Sequence, residues 1–248
     1  MFNQRESTGF RTMTTTCTKD GFKIRGAEMT RLETFVDAAF AFAVTLLVIG
    51  GGDNIPNNYQ DFLMALRQVP SFTLCFANIV FFWYAHHIWS RRFGLDDGPS
   101  TVLSLLLILL VLIFVYPLKA IYAGAFNFIP GFDSRTVFTL TSVDDFSGLL
   151  VIFGLAFSML SAIIAALNWH AFRLADVIGL SAYEKFDTNT VVQLWLVNAL
   201  VPLGSVAIAL FTTGVFWAKT ASFFYISFAI ILQLLKLYRK RLRSKIKS

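Results

Sequence analysis

Charge is scarce in this chain. Only 15% of its 248 residues are Asp, Glu, Lys or Arg, while 56% are hydrophobic and the mean hydropathy is +0.64. Soluble domains carry about a quarter charged residues, so composition leaves an integral membrane protein as the comfortable class. Cysteine is nearly absent too. Cys17 lies in a polar tail and Cys75 in an apolar run, which gives neither a disulfide framework nor metal-ligand spacing. No H-E-x-x-H pattern, Gly-rich phosphate loop or Ser-His-Asp order at one membrane face is present, so no enzyme is expected. No apolar stretch carries the repeated Arg of a voltage sensor, and the T-V-G-Y-G filter run is missing. Histidine occurs three times, as His86, His87 and His170. Adjacent residues point about 100° apart on a helix, so His86 and His87 cannot serve one iron together. No metal site and no cofactor is therefore expected.

What the chain has in abundance is apolar length. Hydropathy predicts an all-α, polytopic fold with six transmembrane helices, at about 32–50, 69–92, 100–122, 147–172, 189–211 and 218–237. Gly50-Gly51-Gly52 and Pro56 stop the first span, and a short interfacial helix is expected near Tyr59. Asp96-Asp97-Gly98-Pro99-Ser100 opens the third, and Pro117 is expected to kink its outer part.

The basic residues set an orientation. With both termini inside, 17 of the 21 Lys and Arg residues are cytoplasmic, which the positive-inside rule favours. The net charge of +6 thus reads as topology. The basic run from Lys236 to Lys247 follows an apolar segment directly and reads as a membrane anchor, not a nucleic-acid site. Residues 1–25 are polar and Thr-rich without an apolar core, so no cleavable secretory signal is expected. The domain reading is a flexible cytoplasmic tail over 1–29, a transmembrane domain over 30–237 and a basic cytoplasmic tail over 238–248.

The first span holds the anomaly. From Phe35 to Ile49 the only ionised residue is Asp37. A carboxylate at mid-helix in a bilayer costs roughly 2.5–3.5 kcal/mol and less nearer the interface, so it needs a partner. Arg31 is six residues away, about 9 Å along a helix, and is not a natural i,i+4 partner. The topology brings Trp83, His86 and His87, at the end of the second span, to the same depth, which makes either histidine a candidate. Further along, Phe42, Leu46 and Ile49 share one face, with Thr45 beside them, while Asp37 is about 140° around from Phe42. On periodicity alone, packing on other helices or on lipid is the favoured reading of this face, since apolar stripes are the norm in membrane helices.

Three features together resemble a known family. Arg31-x-x-x-Phe35-Val36-Asp37 is similar to the R-x-x-x-F-S-D signature of the endosomal/lysosomal transmembrane potassium-channel family (the transmembrane protein 175 family). Trp83-x-x-His86-His87 resembles the end of the second helix in bacterial members, and the Pro117-containing third span fits as well. The resemblance covers the first three spans by motif and the last three by layout. It implies a homotetramer of six-helix subunits in a lipid bilayer, the bacterial cytoplasmic membrane being the expected one. Four first helices would surround a pore that conducts potassium. By offset from the motif aspartate, the hydrophobic constriction would fall on Phe42, Leu46 and Ile49, with Thr45 as a hydroxyl layer. Arg31, Phe35 and Asp37, with Trp83, His86 and His87, would form the network that holds the pore helix. A proton or small-solute transporter and a non-conducting scaffold are the other readings. Two positions depart from the family pattern. Val36 stands for its Ser, and Phe42 stands for a branched aliphatic. Four phenyl rings there are bulkier, able to seal the path by dewetting or to tilt into a different aperture.

Overall fold

A computed structural model describes residues 17–18, 21–49, 57–126 and 143–211. The expected sixth span at 218–237, the basic tail at 238–248 and the first 16 residues lie outside the described residues. Within them the fold is all-α. The helices are α1 (Arg31–Ile49), α2 (Tyr59–Arg67), α3 (Val69–Phe93), α4 (Gly98–Phe126), α5 (Val143–Arg173) and α6 (Ala182–Phe211). Among the described residues, three stretches, Val69–Phe93, Gly98–Gly124 and Gly148–Arg173, are long and apolar enough to cross a membrane.

Helix ends follow local chemistry. Thr30 caps α1, its hydroxyl accepting the Glu33 N–H at 3.1 Å. Asn58 caps α2 by accepting the Asp61 N–H at 2.8 Å, and none of the nine residues of α2 is buried. Gly94 ends α3 in the left-handed region at φ 59°, where a side chain would be strained. The start of α6 differs from the hydropathy reading, which placed it near 189. Ser181 and Glu184 form a reciprocal capping box. The Ser181 hydroxyl accepts the Glu184 N–H at 3.3 Å and the Glu184 carboxylate accepts the Ser181 N–H at 2.9 Å. The box starts the helix at Ala182, through polar residues that a hydropathy window passes over.

Pro117 and Pro202 both lie inside helices, in α4 and α6. The most extensive packing is between α5 and α6, followed by α4 against α5. α3 touches α1, α4 and α5, and the buried core runs through all of them. At one end of the bundle four helix termini converge with the segment that precedes α1. There Arg92 at the end of α3 pairs with Asp187 of α6 at 3.0 Å. His170 at the end of α5 pairs with Asp97, just before α4, at 2.6 Å.

Candidate functional site

α1 has two unlike faces. Val36, Phe40, Ala43 and Leu47 are buried, as is Glu33. Arg31, Thr34, Phe35, Ala38, Ala41, Phe42, Thr45 and Val48 are exposed, and they form one continuous stripe. Phe42, in the middle of that stripe, is 54% exposed. Because seven residues bring an α-helix back to within about 20°, Ala38 and Thr45 mark the centre of this face. Leu46 sits at its margin, partly buried and packed against the subunit's own core. The side chain of Ile49 lies outside the described set. Thr45 Oγ1 donates to the Ala41 carbonyl at 3.0 Å. Its proton is thereby committed to the backbone, and the oxygen lone pairs remain available on the exposed face.

Asp37 does not face that stripe. It turns to α3, where the Trp83 indole N–H donates to its Oδ1 at 2.8 Å. Its partner is therefore an indole, not His86 or His87. An indole is a donor at every pH, so this bond gives the carboxylate oxygen a hydrogen-bond partner without a countercharge. One turn earlier in α1, Glu33 Oε1 lies 3.8 Å from His87 Nδ1, one turn later in α3. Trp83 and His87 stack on each other with centroids 5.4 Å apart and planes at 20°. The two acids are i,i+4 on α1 and the two rings are i,i+4 on α3, so the antiparallel helices are joined rung by rung. The sequence reading missed Glu33, although Thr30-Arg-Leu-Glu33 carries the capping-box pattern that places an acid in the first turn.

The other half of the aromatic motif reaches different helices. His86 is buried, and its Nε2 lies 3.0 Å from Ser104 Oγ on α4. Trp89 donates its indole N–H to the Leu167 carbonyl of α5 at 2.9 Å. The stretch from Trp83 to Trp89 thus ties α3 to α1, α4 and α5 at once. Arg31 is exposed on the stripe, and no hydrogen bond or ion pair joins it to another described residue. Phe35 is likewise exposed, at 55%. Of the six expected network residues, the subunit brings together Asp37, Trp83 and His87, sets His86 against α4, and leaves Arg31 and Phe35 facing outward.

The segment before α1 is anchored at the converging helix ends. Of the tail read from the sequence as flexible over 1–29, residues 21–29 lie in place along the bundle. Phe22 is fully buried, edge-on to Phe93 at 5.7 Å, with the Arg92 guanidinium 4.7 Å from its ring centre. Arg25 grips Glu184 through both terminal nitrogens, at 2.9 and 3.2 Å, and donates to the carbonyls of Ile178 and Gly179. Glu184 stands outside the span expected from 189. Burial opposes its ionisation, but the Arg25 guanidinium and the backbone N–H groups of Ser181 and Lys23 outweigh it and hold the carboxyl down at about 2. Nothing in hydropathy singles out Arg25 or Glu184. The signal available was the capping-box spacing Ser181-x-x-Glu184.

Among the described residues no group of three or more His, Cys, Asp or Glu is arranged to hold a metal ion.

A family model described as endosomal/lysosomal potassium channel TMEM175 matches residues 31–117, the run from the start of α1 into α4 that contains both motif stretches. A protein named potassium channel from Marivirga tractuosa is 35% identical over 196 residues, covering 76% of this chain and 78% of its own length. Among solved structures, a threonine-to-alanine variant of the potassium channel MtTMEM175, crystallised with a nanobody–MBP fusion, superposes with a TM-score of 0.77. Its sequence identity is 30%, and the match covers 91% of this chain and 100% of that one. With a relative this similar over most of both chains, and with motifs that fall inside the matched region, the chain belongs to the TMEM175 potassium-channel family.

Proposed function

We propose that this chain is one subunit of a homotetrameric, potassium-conducting cation channel in the bacterial cytoplasmic membrane, with α1 lining the ion path. One observation carries the reading. α1 is packed on one side and bare along the other. The bare side is a continuous stripe of apolar and hydroxyl side chains with Phe42 at its middle and Thr45 near its centre line. A membrane helix with such a face needs something against it, and a ring of copies would enclose a pathway between their stripes. The relatives named as potassium channels give the pathway its cargo.

In this assembly Phe42 forms the narrowest ring, with Leu46 and Ile49 as further apolar levels. Thr45 supplies four hydroxyl oxygens, whose protons are held by the Ala41 carbonyls, as an electronegative layer for a potassium ion. The rungs Glu33–His87 and Asp37–Trp83 hold α1 at a fixed rotation, so the stripe and not the buried face looks at the axis. Arg31 and Phe35, on the same outward stripe, meet neighbouring subunits near the cytoplasmic mouth. The chain threads the bilayer six times with both ends inside. Residues 30–237 make the membrane domain, and the cytoplasmic flanks are 1–29 and 238–248. Support for this orientation comes from the basic residues Arg25, Arg91, Arg92 and Arg173, which gather where the segment before α1 meets the ends of α3 and α5. No catalytic role and no cofactor is assigned.

Purified tetramers in liposomes should dissipate a potassium gradient. Folded tetramers that carry no potassium flux would overturn the proposal.

A further inference from the structure

The segment before the pore-facing helix is built as a clamp. Arg25 uses every N–H of its guanidinium: Nε to Ile178 O at 3.0 Å, Nη1 to Lys23 O and Glu184 Oε1 at 3.2 Å each, Nη2 to Gly179 O at 3.0 Å and Glu184 Oε2 at 2.9 Å. Glu184 is buried and also accepts the backbone N–H groups of Lys23 at 2.8 Å and Ser181 at 2.9 Å. The pair is thus fully satisfied on both sides, the condition under which a buried ion pair fixes a geometry and does not merely cost desolvation. Phe22 plugs the core one side of this pair. On the other side the chain crosses the end of α3 at backbone contact. The Gly26 N–H donates to the Arg91 carbonyl at 3.1 Å, and Arg91 returns a bond to the Ala27 carbonyl at 3.2 Å. A Cβ on Gly26 would meet the Ser90 carbonyl oxygen at 2.3 Å, and one on Gly94 would meet Arg25 backbone atoms at 2.9 Å. The crossing therefore admits only glycine at both places. Four residues after Gly26, Thr30 caps α1.

α1 is therefore held at two separate levels. The rungs to α3 fix its rotation, and the clamp ties its cytoplasmic end to the α5–α6 turn and the start of α6. The turn from Leu174 to Gly179 is otherwise remote from α1 in the chain and shares no side chain with the stripe.

Resting on the channel reading above, we infer that Arg25 and Glu184 are positioning residues for conduction: through the strap 21–30 they couple the peripheral α5–α6 hairpin to the cytoplasmic end of the pore-lining helix. A displacement of α6 relative to α3 pulls on the strap before it reaches any residue of the pore. The clamp sets how often the pathway is open, whereas Phe42 and Thr45 set what passes when it is.

The test uses full-length tetramers carrying Arg25→Lys, Glu184→Gln, and the exchange Arg25→Glu with Glu184→Arg. Arg25→Lys keeps the charge but loses the fork, and is the mild variant if the others fold poorly. Three quantities are read: the fraction of time open in bilayers, the unitary conductance, and the distance between spin labels on Thr34, an exposed α1 residue, in neighbouring subunits. Labelling uses a background with Cys17→Ser and Cys75→Ala. The expected result is a several-fold change in open fraction at unchanged unitary conductance, with a shifted or broadened Thr34 distance, partly restored by the exchange. Folded variants that lose thermal stability but keep the wild-type open fraction and distance would reduce the clamp to a structural role and overturn the inference. Amide exchange on the wild type is independent of every variant. Rapid exchange at Lys23 and Gly26 would show the strap undocked and also overturn it. Wild-type tetramers that do not conduct defeat the channel reading alone, because distance and exchange still report on the strap.

Discussion

The indole N–H of Trp83 points at Oδ1 of Asp37 across 2.8 Å, joining the one acid in the apolar body of α1 to a ring on α3 that donates at any pH. A carboxylate inside a bilayer is tolerated when its bonds are made locally, and this one gives Asp37 a partner without drawing Arg31 off the outward stripe. Removing the donor should therefore be costly. Trp83→Phe is expected to destabilise the folded subunit by about 1.5–3 kcal/mol, the usual worth of a hydrogen bond to a charged group. Asp37→Ala should cost a similar amount. The double variant should cost well under the sum, since the two residues share one bond. Thermal unfolding of the purified protein checks all three.

Phe42→Ala tests the proposed constriction. Phe42 is more than half exposed in the subunit, so its truncation should barely change subunit stability. In the proposed tetramer it removes four rings from the proposed narrowest level. Unitary conductance should rise and discrimination among monovalent cations should fall. An unchanged current would place the constriction elsewhere.

Thr45→Val separates shape from chemistry at the next level. Valine keeps the branched outline and removes the oxygen, and the Ala41 carbonyl loses only a supplementary bond. The expected outcome is a lower potassium-to-sodium permeability ratio, read from reversal potentials under bi-ionic conditions. A wild-type ratio would exclude the hydroxyl from selection.

The clamp predicts an acid limb in stability. The Glu184 carboxyl is held at about 2, below its ordinary 4.5. A depressed carboxylate contributes stability that is fully present above its unfolded value and is lost as pH falls through the folded one. The contribution, about 3 kcal/mol, should therefore be constant above pH ~5 and decline from there toward pH 2. Glu184→Gln should lower stability near neutrality and flatten that decline. Unfolding followed between pH 2 and 7 on both proteins gives the comparison.

Gly26→Ala should be disproportionately damaging for the smallest possible substitution. The added methyl meets a backbone oxygen that cannot rotate away, so strap or helix end must move. A loss of about 1–3 kcal/mol, the range for overpacking, is expected. Gly98→Ala is the control, because nothing lies within 4 Å of a Cβ there.

Much of this protein is written locally. The abundance of apolar residues, the glycine and proline stops and the charge bias determine an all-α membrane chain, because crossing a bilayer demands long apolar helices whatever they pack against. The anomalous acid at Asp37 and the aromatic run from Trp83 also stand out locally, since each is expensive unless partnered. Only the tertiary structure decided which partner each one takes. Asp37 could meet any donor at its depth, and the antiparallel register of α1 on α3 chose Trp83 and gave Glu33 to His87. The same packing decided which side of α1 stays bare. Leu46 and Thr45 are neighbours in sequence, yet Leu46 is partly buried against the subunit's core at the margin of the stripe while Thr45 is exposed near its centre, a distinction set by helix rotation and not by hydropathy. The strap was the least legible part. Arg25 and Glu184 lie 159 residues apart and meet through contacts that exist only once the helix ends have converged.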